Sequence, residues 1–166
     1  PWIIMAGHQI NYSYKSVPTI KRFSQCDDFM RCIMGPFGSG KSVGSVIEII
    51  RRAHNQAPAA DGIRRSRWVV IRNTYPPLKD TMIKRVHDWR PHKLFGEWKA
   101  QDHTYLIKAF KGVEIEILFR ALDRPDQVAN LLSLELTGAW VNEAREVPKA
   151  IIDGLTGRVG RYPSMR

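Results

Sequence analysis

Eight residues decide the fold of this chain: Gly35-Pro36-Phe37-Gly38-Ser39-Gly40-Lys41-Ser42. They match the pattern G-x-x-x-x-G-K-[ST], in which a glycine-rich loop joins a strand to a helix. The glycines let the backbone adopt conformations that a Cβ atom would block, so that successive N–H groups turn inward towards phosphate. Lys41 supplies an ammonium group for the β- and γ-phosphates, and Ser42 supplies a hydroxyl ligand for Mg²⁺. The stretch from Gly35 to Val43 is therefore predicted to bind ATP and Mg²⁺.

The residues on either side of the loop support this prediction. Residues 29–34 are mostly apolar, which predicts a buried strand that ends at the loop, with Cys32 as a buried thiol. After Lys41, apolar residues recur at helical spacing on one face, at Val43, Val46, Ile47, Ile50 and Ala53. A helix starting near Lys41 adds the positive end of its dipole to the phosphate site. The alternative, a glycine-rich turn with an incidental lysine, does not require this order of strand, loop and helix.

The rest of the chain alternates between strand and helix patterns. Strands are predicted at 68–71 and 136–141, and residues 105–110 and 113–119 predict a hairpin that turns at Lys111-Gly112. Helices are predicted from the Pro76-Pro77 pair to about Trp89, over 125–132 and over 148–155. This order predicts one α/β domain over residues 1–166, with a mostly parallel sheet flanked by helices and an added β-hairpin.

A second candidate for chemistry follows the strand at 136–141. ATP hydrolysis needs a group beside the γ-phosphate that orients or activates the attacking water. Glu143 is the candidate for that role, on a strand that is expected to lie next to the loop strand. Asn142 is expected to hold Mg²⁺ through a water, more weakly than a carboxylate would. The alternative is that Asn142 and Glu143 cap the helix that follows.

Composition adds a possible partner. The 166 residues carry a net charge of +10, and residues 51–99 contain twelve Lys or Arg against four acids. Such a surface attracts a polyanion such as DNA, although a solvated basic face accounts for the charge equally simply. No stretch is apolar for long enough to cross a bilayer, so no membrane association is expected. Cys26 and Cys32 have no spacing typical of a disulfide framework or metal site.

The chain resembles the large terminase subunit of tailed bacteriophages, the ATPase that drives DNA into a preformed capsid. The resemblance is carried by GPFGSGKS at 35–42, VVIRNTYPPLKDT at 69–81 and SLELTGAWVNEAREVPK at 133–149, with GRVGRYPS at 157–164 after them. It implies a RecA-like core of the P-loop NTPase class, in which Lys41 and Ser42 belong to the Walker A motif. Glu143 would be the catalytic glutamate of the Walker B motif. Asn142 stands where the family usually has Asp.

The resemblance also implies partners and a location. They are double-stranded DNA, the portal protein, the small terminase subunit and further copies of the chain in a ring, in the host cell cytoplasm. The chain is expected to be a piece of a longer protein, and the coupling motif and nuclease domain of the family are expected to lie beyond Arg166. No nuclease activity is expected from these residues.

Two further assignments remain open in the sequence. Phe37 stands where several terminases have an arginine, so the arginine that stabilises the transition state has to come from elsewhere. The candidates are Arg145, Arg158 and Arg161, and also Arg120 and Arg124, and an ordinary surface role is the alternative for each. Phe23-Ser24-Gln25 is a weaker candidate for contacting adenine, in the manner of the family's adenine-binding motif.

Two other functions compete with a DNA-translocating ATPase. The chain fits another P-loop ATPase acting on nucleic acid, such as a helicase or a recombinase-like protein. It also fits a nucleotide-binding module that does not hydrolyse ATP, since Asn142 lacks the charge of an aspartate.

Overall fold

A computed structural model describes residues 2–5, 8–11, 17–74, 96–122 and 125–163. The strands are β1 (Trp2–Met5), β2 (His8–Asn11), β3 (Arg64–Arg72), β4 (Glu97–Lys99), β5 (Thr104–Phe110), β6 (Val113–Ala121) and β7 (Gly138–Val141). The helices are α1 (Pro18–Gln25), α2 (Lys41–His54), α3 (Pro125–Ser133) and α4 (Lys149–Thr156), with a 3-10 turn at Ala144–Glu146. None of the described helices is long and apolar enough to span a membrane.

The main sheet has five strands in the order β4-β5-β6-β3-β7, and β1 and β2 form a separate antiparallel pair. β3 is parallel to both of its neighbours, β6 and β7, while β5 is antiparallel to β4 and β6. The sheet is thus half antiparallel, where a mostly parallel one was predicted. The reason is that the predicted hairpin, β5 and β6, is part of the sheet itself, with β6 pairing along the whole of β3.

Both faces of the sheet are covered, as an α/β fold requires. Val46, Ile50 and Ala53 of α2 pack on one face against alternate residues of β3, β5 and β6. Leu131, Ile151 and Leu155 of α3 and α4 pack on the other face, together with Val69 and Ile71 of β3. Because β3 is covered on both sides, its residues from Trp68 to Ile71 are all buried.

Most of the predicted elements are present, within a few residues at their ends. The helix predicted from Pro76 to Trp89 lies outside the described residues. The predicted strand at 136–141 begins only at Gly138, and Leu136 instead forms an isolated bridge with Val159.

The prediction for residues 29–34 is wrong. They form neither helix nor strand, and Phe29, Met30 and Met34 are 69%, 56% and 92% exposed. Cys32 is exposed as well, so it is not a buried thiol. A strand needs a neighbouring strand for its backbone hydrogen bonds, and among the described residues none pairs with this segment. Its Arg31 side chain points instead towards α2, where it binds Glu48.

Candidate nucleotide site

The direction of α2 fixes where the glycine-rich loop lies. At the C-terminal end of α2, the His54 ring contacts the Phe110 ring edge-on, with centroids 4.8 Å apart, and Arg64 donates to the Gln56 carbonyl. Phe110 pairs with Val113, and Val113 pairs with Arg64, so this end of the helix lies at the amino ends of β3 and β6. α2 therefore runs antiparallel to both strands, and its first residue lies towards their carboxyl ends. The loop is at that edge of the sheet.

The loop turns tightly before the helix begins. Gly38 and Gly40 have φ values of +76° and +80°, in the left-handed region that favours glycine. Gly40 is the N-cap residue of α2, and a Cβ atom there would lie 3.2 Å from Ile20 Cδ1. A Cβ atom on Gly35 would lie 3.0 Å from Ser39 Oγ. The first N–H groups of any α-helix have no acceptor within the helix, so the start of α2 favours an anion.

Lys41 is folded back onto the loop. Its Nζ atom donates to the Gly35 carbonyl at 2.6 Å and to the Pro36 carbonyl at 2.8 Å, and it lies 3.4 Å from Ser39 Oγ. The ammonium group thus lies within the turn, where it donates to backbone carbonyl oxygens. Phe37, at the tip of the loop, is 96% exposed.

Asn142 and Glu143 follow β7 at the same edge of the sheet. The Asn142 N–H donates to the Ile71 carbonyl at 2.9 Å, which continues the ladder between β7 and β3 for one more residue. Glu143 then has φ +54° and ψ +55°, an uncommon conformation for a residue with a side chain. The carboxylate is 31% exposed, and its ion pair is with Arg145 Nε at 3.8 Å.

The capping alternative for these residues finds little support. Glu143 is the N-cap residue of the 3-10 turn, but its side chain makes no cap hydrogen bond. Helix α4 begins later and has Pro148 at its N-cap. The carboxylate is therefore not used by the backbone of the following helix.

The strand order corrects one expectation about this site. Glu143 was expected on a strand next to the loop strand, but the described neighbour of β7 is β3. The loop and Glu143 share the carboxyl edge of the sheet because α2 and β7 run in opposite directions across it. The hydrogen bonds of Lys41 stay within the loop, and no ion pair joins it to Glu143 in the described parts of the chain.

The candidate arginines Arg145, Arg158 and Arg161 lie at opposite ends of β7. Arg145 is next to Glu143 and is 79% exposed. Arg158 and Arg161 flank Leu136, whose N–H donates to the Arg158 carbonyl and whose carbonyl accepts from the Arg161 N–H. Leu136 precedes the amino end of β7, so the strand separates these two arginines from Glu143 by roughly 20 Å. Of these three arginines, Arg145 is the one that lies next to Glu143 in the same chain.

Of the other two candidates, Arg120 and Arg124, only Arg120 lies within the described residues. Arg120, near the carboxyl end of β6, donates to the Asp102 and Phe119 carbonyls at 2.8 and 2.9 Å. Burial lowers the pKa of its guanidinium below the ordinary value. Arg124 lies outside the described residues.

An open cleft of about 480 Å³ lies between α1 and the segment before the loop. Of the three residues considered for adenine, only Phe23 lines it; the Ser24 hydroxyl donates to the Lys21 carbonyl of its own helix, and Gln25 is exposed. The wall of the cleft also contains residues that no sequence motif indicated, namely Met30, Arg31, Cys32, Ile33 and Met34. The Arg31 guanidinium lies 4.7 Å from the centroid of the Phe23 ring.

Comparison with known proteins gives a structural likeness. No protein-family model matches the chain, and no curated protein sequence matches it. Its structure is similar to that of the large terminase from a thermophilic bacteriophage, with a TM-score of 0.60 and 16% identity. That alignment covers 76% of this chain and 30% of the phage protein.

A second crystal form of the same terminase, in complex with ATP-gamma-S, also matches. It gives a TM-score of 0.55 and 16% identity over 78% of this chain and 29% of that one. The chain thus spans less than a third of the length of the terminase that it matches. The α/β architecture that the resemblance implied is confirmed: this chain has the fold of a portion of a bacteriophage large terminase.

Proposed function

We propose that this chain is the ATP-binding and ATP-hydrolysing region of a motor that moves double-stranded DNA into a viral procapsid. The proposal takes the fold as a RecA-like P-loop core and residues 35–42 as its Walker A motif. The observation that carries it is the placement of the glycine-rich loop and Glu143 at one edge of the sheet, the loop directly before α2 and Glu143 just after β7. Catalytic groups in open α/β sheets gather outside the carboxyl ends of the strands.

In the proposed binding step, the triphosphate displaces the loop's own carbonyls as the partner of Lys41. The ammonium group leaves the Gly35 and Pro36 oxygens, which accept from it at 2.6 and 2.8 Å, for the more negative β- and γ-phosphate oxygens. The N–H groups at the start of α2, through Val43, donate to the phosphates. Loss of Lys41 removes the countercharge and weakens binding.

Mg²⁺ would be held by Ser42 and by the phosphates themselves. In the described parts of the chain, no group of three or more His, Cys, Asp or Glu residues is placed to hold a metal ion. A hydroxyl ligand, phosphate oxygens and water are the ordinary shell of Mg²⁺ in such a site, and Asn142 would bind one of those waters. When bound, the ion neutralises charge on the β- and γ-phosphates.

In the proposed hydrolytic step, Glu143 orients the attacking water and accepts its proton. The carboxylate suits this role because it is accessible at the strand end and is not used in capping. Stabilising positive charge comes from Arg145 of the same chain, or from Arg158 or Arg161 of a neighbouring subunit in a ring. The separation of roughly 20 Å within one chain gives Arg158 and Arg161 a role only across an interface.

The cleft beside the loop is the proposed site of the adenine base. Phe23 offers an aromatic face, and Met30 and Met34 offer polarisable apolar groups next to the loop. The double-stranded DNA, the portal protein, the small terminase subunit and a location in the host cytoplasm are proposed from the family resemblance. The net charge of +10 supports DNA as a partner, because a basic surface attracts a polyanion.

Turnover of ATP by the full-length protein, with duplex DNA, with single-stranded DNA and with neither, tests this function. Stimulation by duplex DNA supports the motor. Stimulation by single strands alone favours a helicase or recombinase-like ATPase. Tight binding without turnover in any condition favours a nucleotide-binding module, the function that the uncharged Asn142 supports.

A further inference from the structure

One row of residues on α2 faces α1 and the segment before the loop. Gly40, Gly44, Glu48 and Arg52 follow one another at intervals of four and therefore lie on one side of the helix. Ile20 of α1 is 2% exposed and lies against the two glycines; a Cβ atom on Gly44 would be 2.8 Å from Ile20 Cγ2. The small residues bring α1 close to the start of α2. The next residue of the row, Glu48, is a carboxylate.

Glu48 is a buried acid surrounded by three guanidinium groups. It is 4% exposed, and its Oε1 atom accepts from Arg31 at 2.7 Å, from Arg51 at 2.8 Å and from Arg52 at 2.7 Å. Its Oε2 atom accepts from Arg51 Nε at 2.8 Å. Arg51 and Arg52 belong to the same helix as Glu48, but Arg31 comes from the segment that leads into the loop. The carboxylate thus connects that segment to α2.

Arg31 and Arg52 extend this connection to the end of α1. Arg31 Nη1 donates to the carbonyls of Phe23 and Cys26 at 3.1 and 3.3 Å, and Arg52 Nη2 donates to the Cys26 carbonyl at 3.1 Å. These are terminal carbonyls of α1, which lack donor partners within the helix and attract positive charge. The same Arg31 guanidinium lies over the Phe23 ring in the wall of the cleft.

We propose that Glu48 is a positioning residue for nucleotide selectivity, which holds the Arg31 guanidinium and the Phe23 ring in the geometry that recognises the base. This inference rests on the proposed function, because it assigns the cleft to the base of the nucleotide. Arg31 presents planar N–H donors beside an aromatic face, a combination that stacks on a base and bonds its acceptor atoms. Without Glu48, the guanidinium loses its charged partner and the cleft loses a defined wall.

Binding of the base and binding of the phosphates should respond differently to a change at Glu48. Glu48 lies two helical turns beyond Lys41 and makes no hydrogen bond to the loop in the described structure. The triphosphate contacts of residues 38–43 should therefore survive a change at Glu48, whereas contacts with the base should not. A residue that served only stability would lower the affinity for ATP, for GTP and for inorganic tripolyphosphate together.

The test measures dissociation constants of ATP, GTP and inorganic tripolyphosphate by calorimetry, on the full-length protein. Glu48→Gln keeps the size of the side chain and removes the charge, and Arg31→Lys keeps the charge and removes the planar donors. For both, we expect affinity for ATP to fall about tenfold and the ratio of the ATP and GTP affinities to change, while affinity for tripolyphosphate changes by less than about twofold. Glu48→Asp restores part of the selectivity, since it restores the charge.

Asp61→Asn is the matched control. It makes the same carboxylate-to-amide change in another guanidinium pair, with Arg65 at 2.7 Å, beside the amino end of β3. It should leave all three affinities unchanged. Equal losses for all three ligands, or unaltered selectivity in both Glu48→Gln and Arg31→Lys, would overturn the positioning role. A wild-type protein that binds neither ATP nor tripolyphosphate would instead refute the proposed function itself.

Discussion

Adding one methyl group at Gly138 tests the strand register that brings Glu143 to the site. Gly138 pairs with Trp68 at the start of β7, and a Cβ atom there would lie 2.1, 2.6 and 2.7 Å from three atoms of the Trp68 ring. Trp68 is 7% exposed and packs in the core beneath α2, so the ring has little space to move. Relief requires a shift of roughly 1 Å by the indole or by β7, and such overpacking costs about 3 kcal/mol.

That cost is a large part of the about 5–15 kcal/mol that stabilises a typical domain. It corresponds to a fall in melting temperature of roughly 6–12 °C for a domain of this size. Thermal and urea denaturation of Gly138→Ala, compared with wild type, measure it. Because β7 leads directly to Glu143, ATP turnover should fall at temperatures where the variant is still folded.

Two further variants make the result specific. Gly157 has an ordinary φ of −77°, and a Cβ atom there would meet only the Gly154 carbonyl at 3.6 Å, so Gly157→Ala should be neutral or slightly stabilising. Trp68→Leu removes the clashing ring, and the double variant with Gly138→Ala should be more stable than the sum of the two losses predicts. A Gly138→Ala protein as stable as wild type would refute the pairing of β7 with β3.

Three other perturbations address the site and its support. Lys41→Ala should weaken ATP binding by at least about tenfold in a calorimetric titration, because it removes the phosphate countercharge; unchanged affinity would contradict the assigned role. Glu143→Gln should leave ATP affinity within about threefold while slowing single-turnover hydrolysis by about 10²-fold or more, and normal turnover would exclude Glu143 as the group that orients water. Burial raises the pKa of Glu48, but hydrogen bonds from Arg51, Arg52 and Arg31 outweigh it and hold that pKa below its ordinary value of 4.5. The stability that this carboxylate contributes is therefore complete above about pH 4.5 and is lost as the pH falls through the lowered pKa. At neutral pH, Glu48→Gln should be less stable than wild type by about 2 kcal/mol in urea denaturation, and this difference should shrink in acid. A difference in stability that does not change with pH would contradict this.

Local pattern was enough to predict most of the fold. Helical spacing of apolar residues located α2, and the Lys111-Gly112 turn located the hairpin of β5 and β6. Both signals lie within a short stretch of chain. The order of the strands cannot be predicted from such local signals, because the pairing of β6 with β3 joins residues about fifty positions apart.

The segment at 29–34 shows where apolar pattern misleads. Its composition is that of a buried strand, but a strand also needs a partner, and here Arg31 instead ties the segment to Glu48. The cluster of three arginines around Glu48 was not predicted, because the sequence shows only an acid on a helix with basic partners at i+3 and i+4, Arg51 and Arg52. The sequence signal that could have indicated more is an acid placed among the apolar residues of α2, in line with Gly40 and Gly44.

A crystal structure with Mg²⁺ and a non-hydrolysable ATP analogue tests the central claim most directly. We expect the β-phosphate within the turn of residues 38–43, with Lys41 Nζ moved from the Gly35 and Pro36 carbonyls onto phosphate oxygens and Glu143 facing the γ-phosphate. A triphosphate bound elsewhere, or a Lys41 that keeps its carbonyl partners while nucleotide is bound, would contradict it.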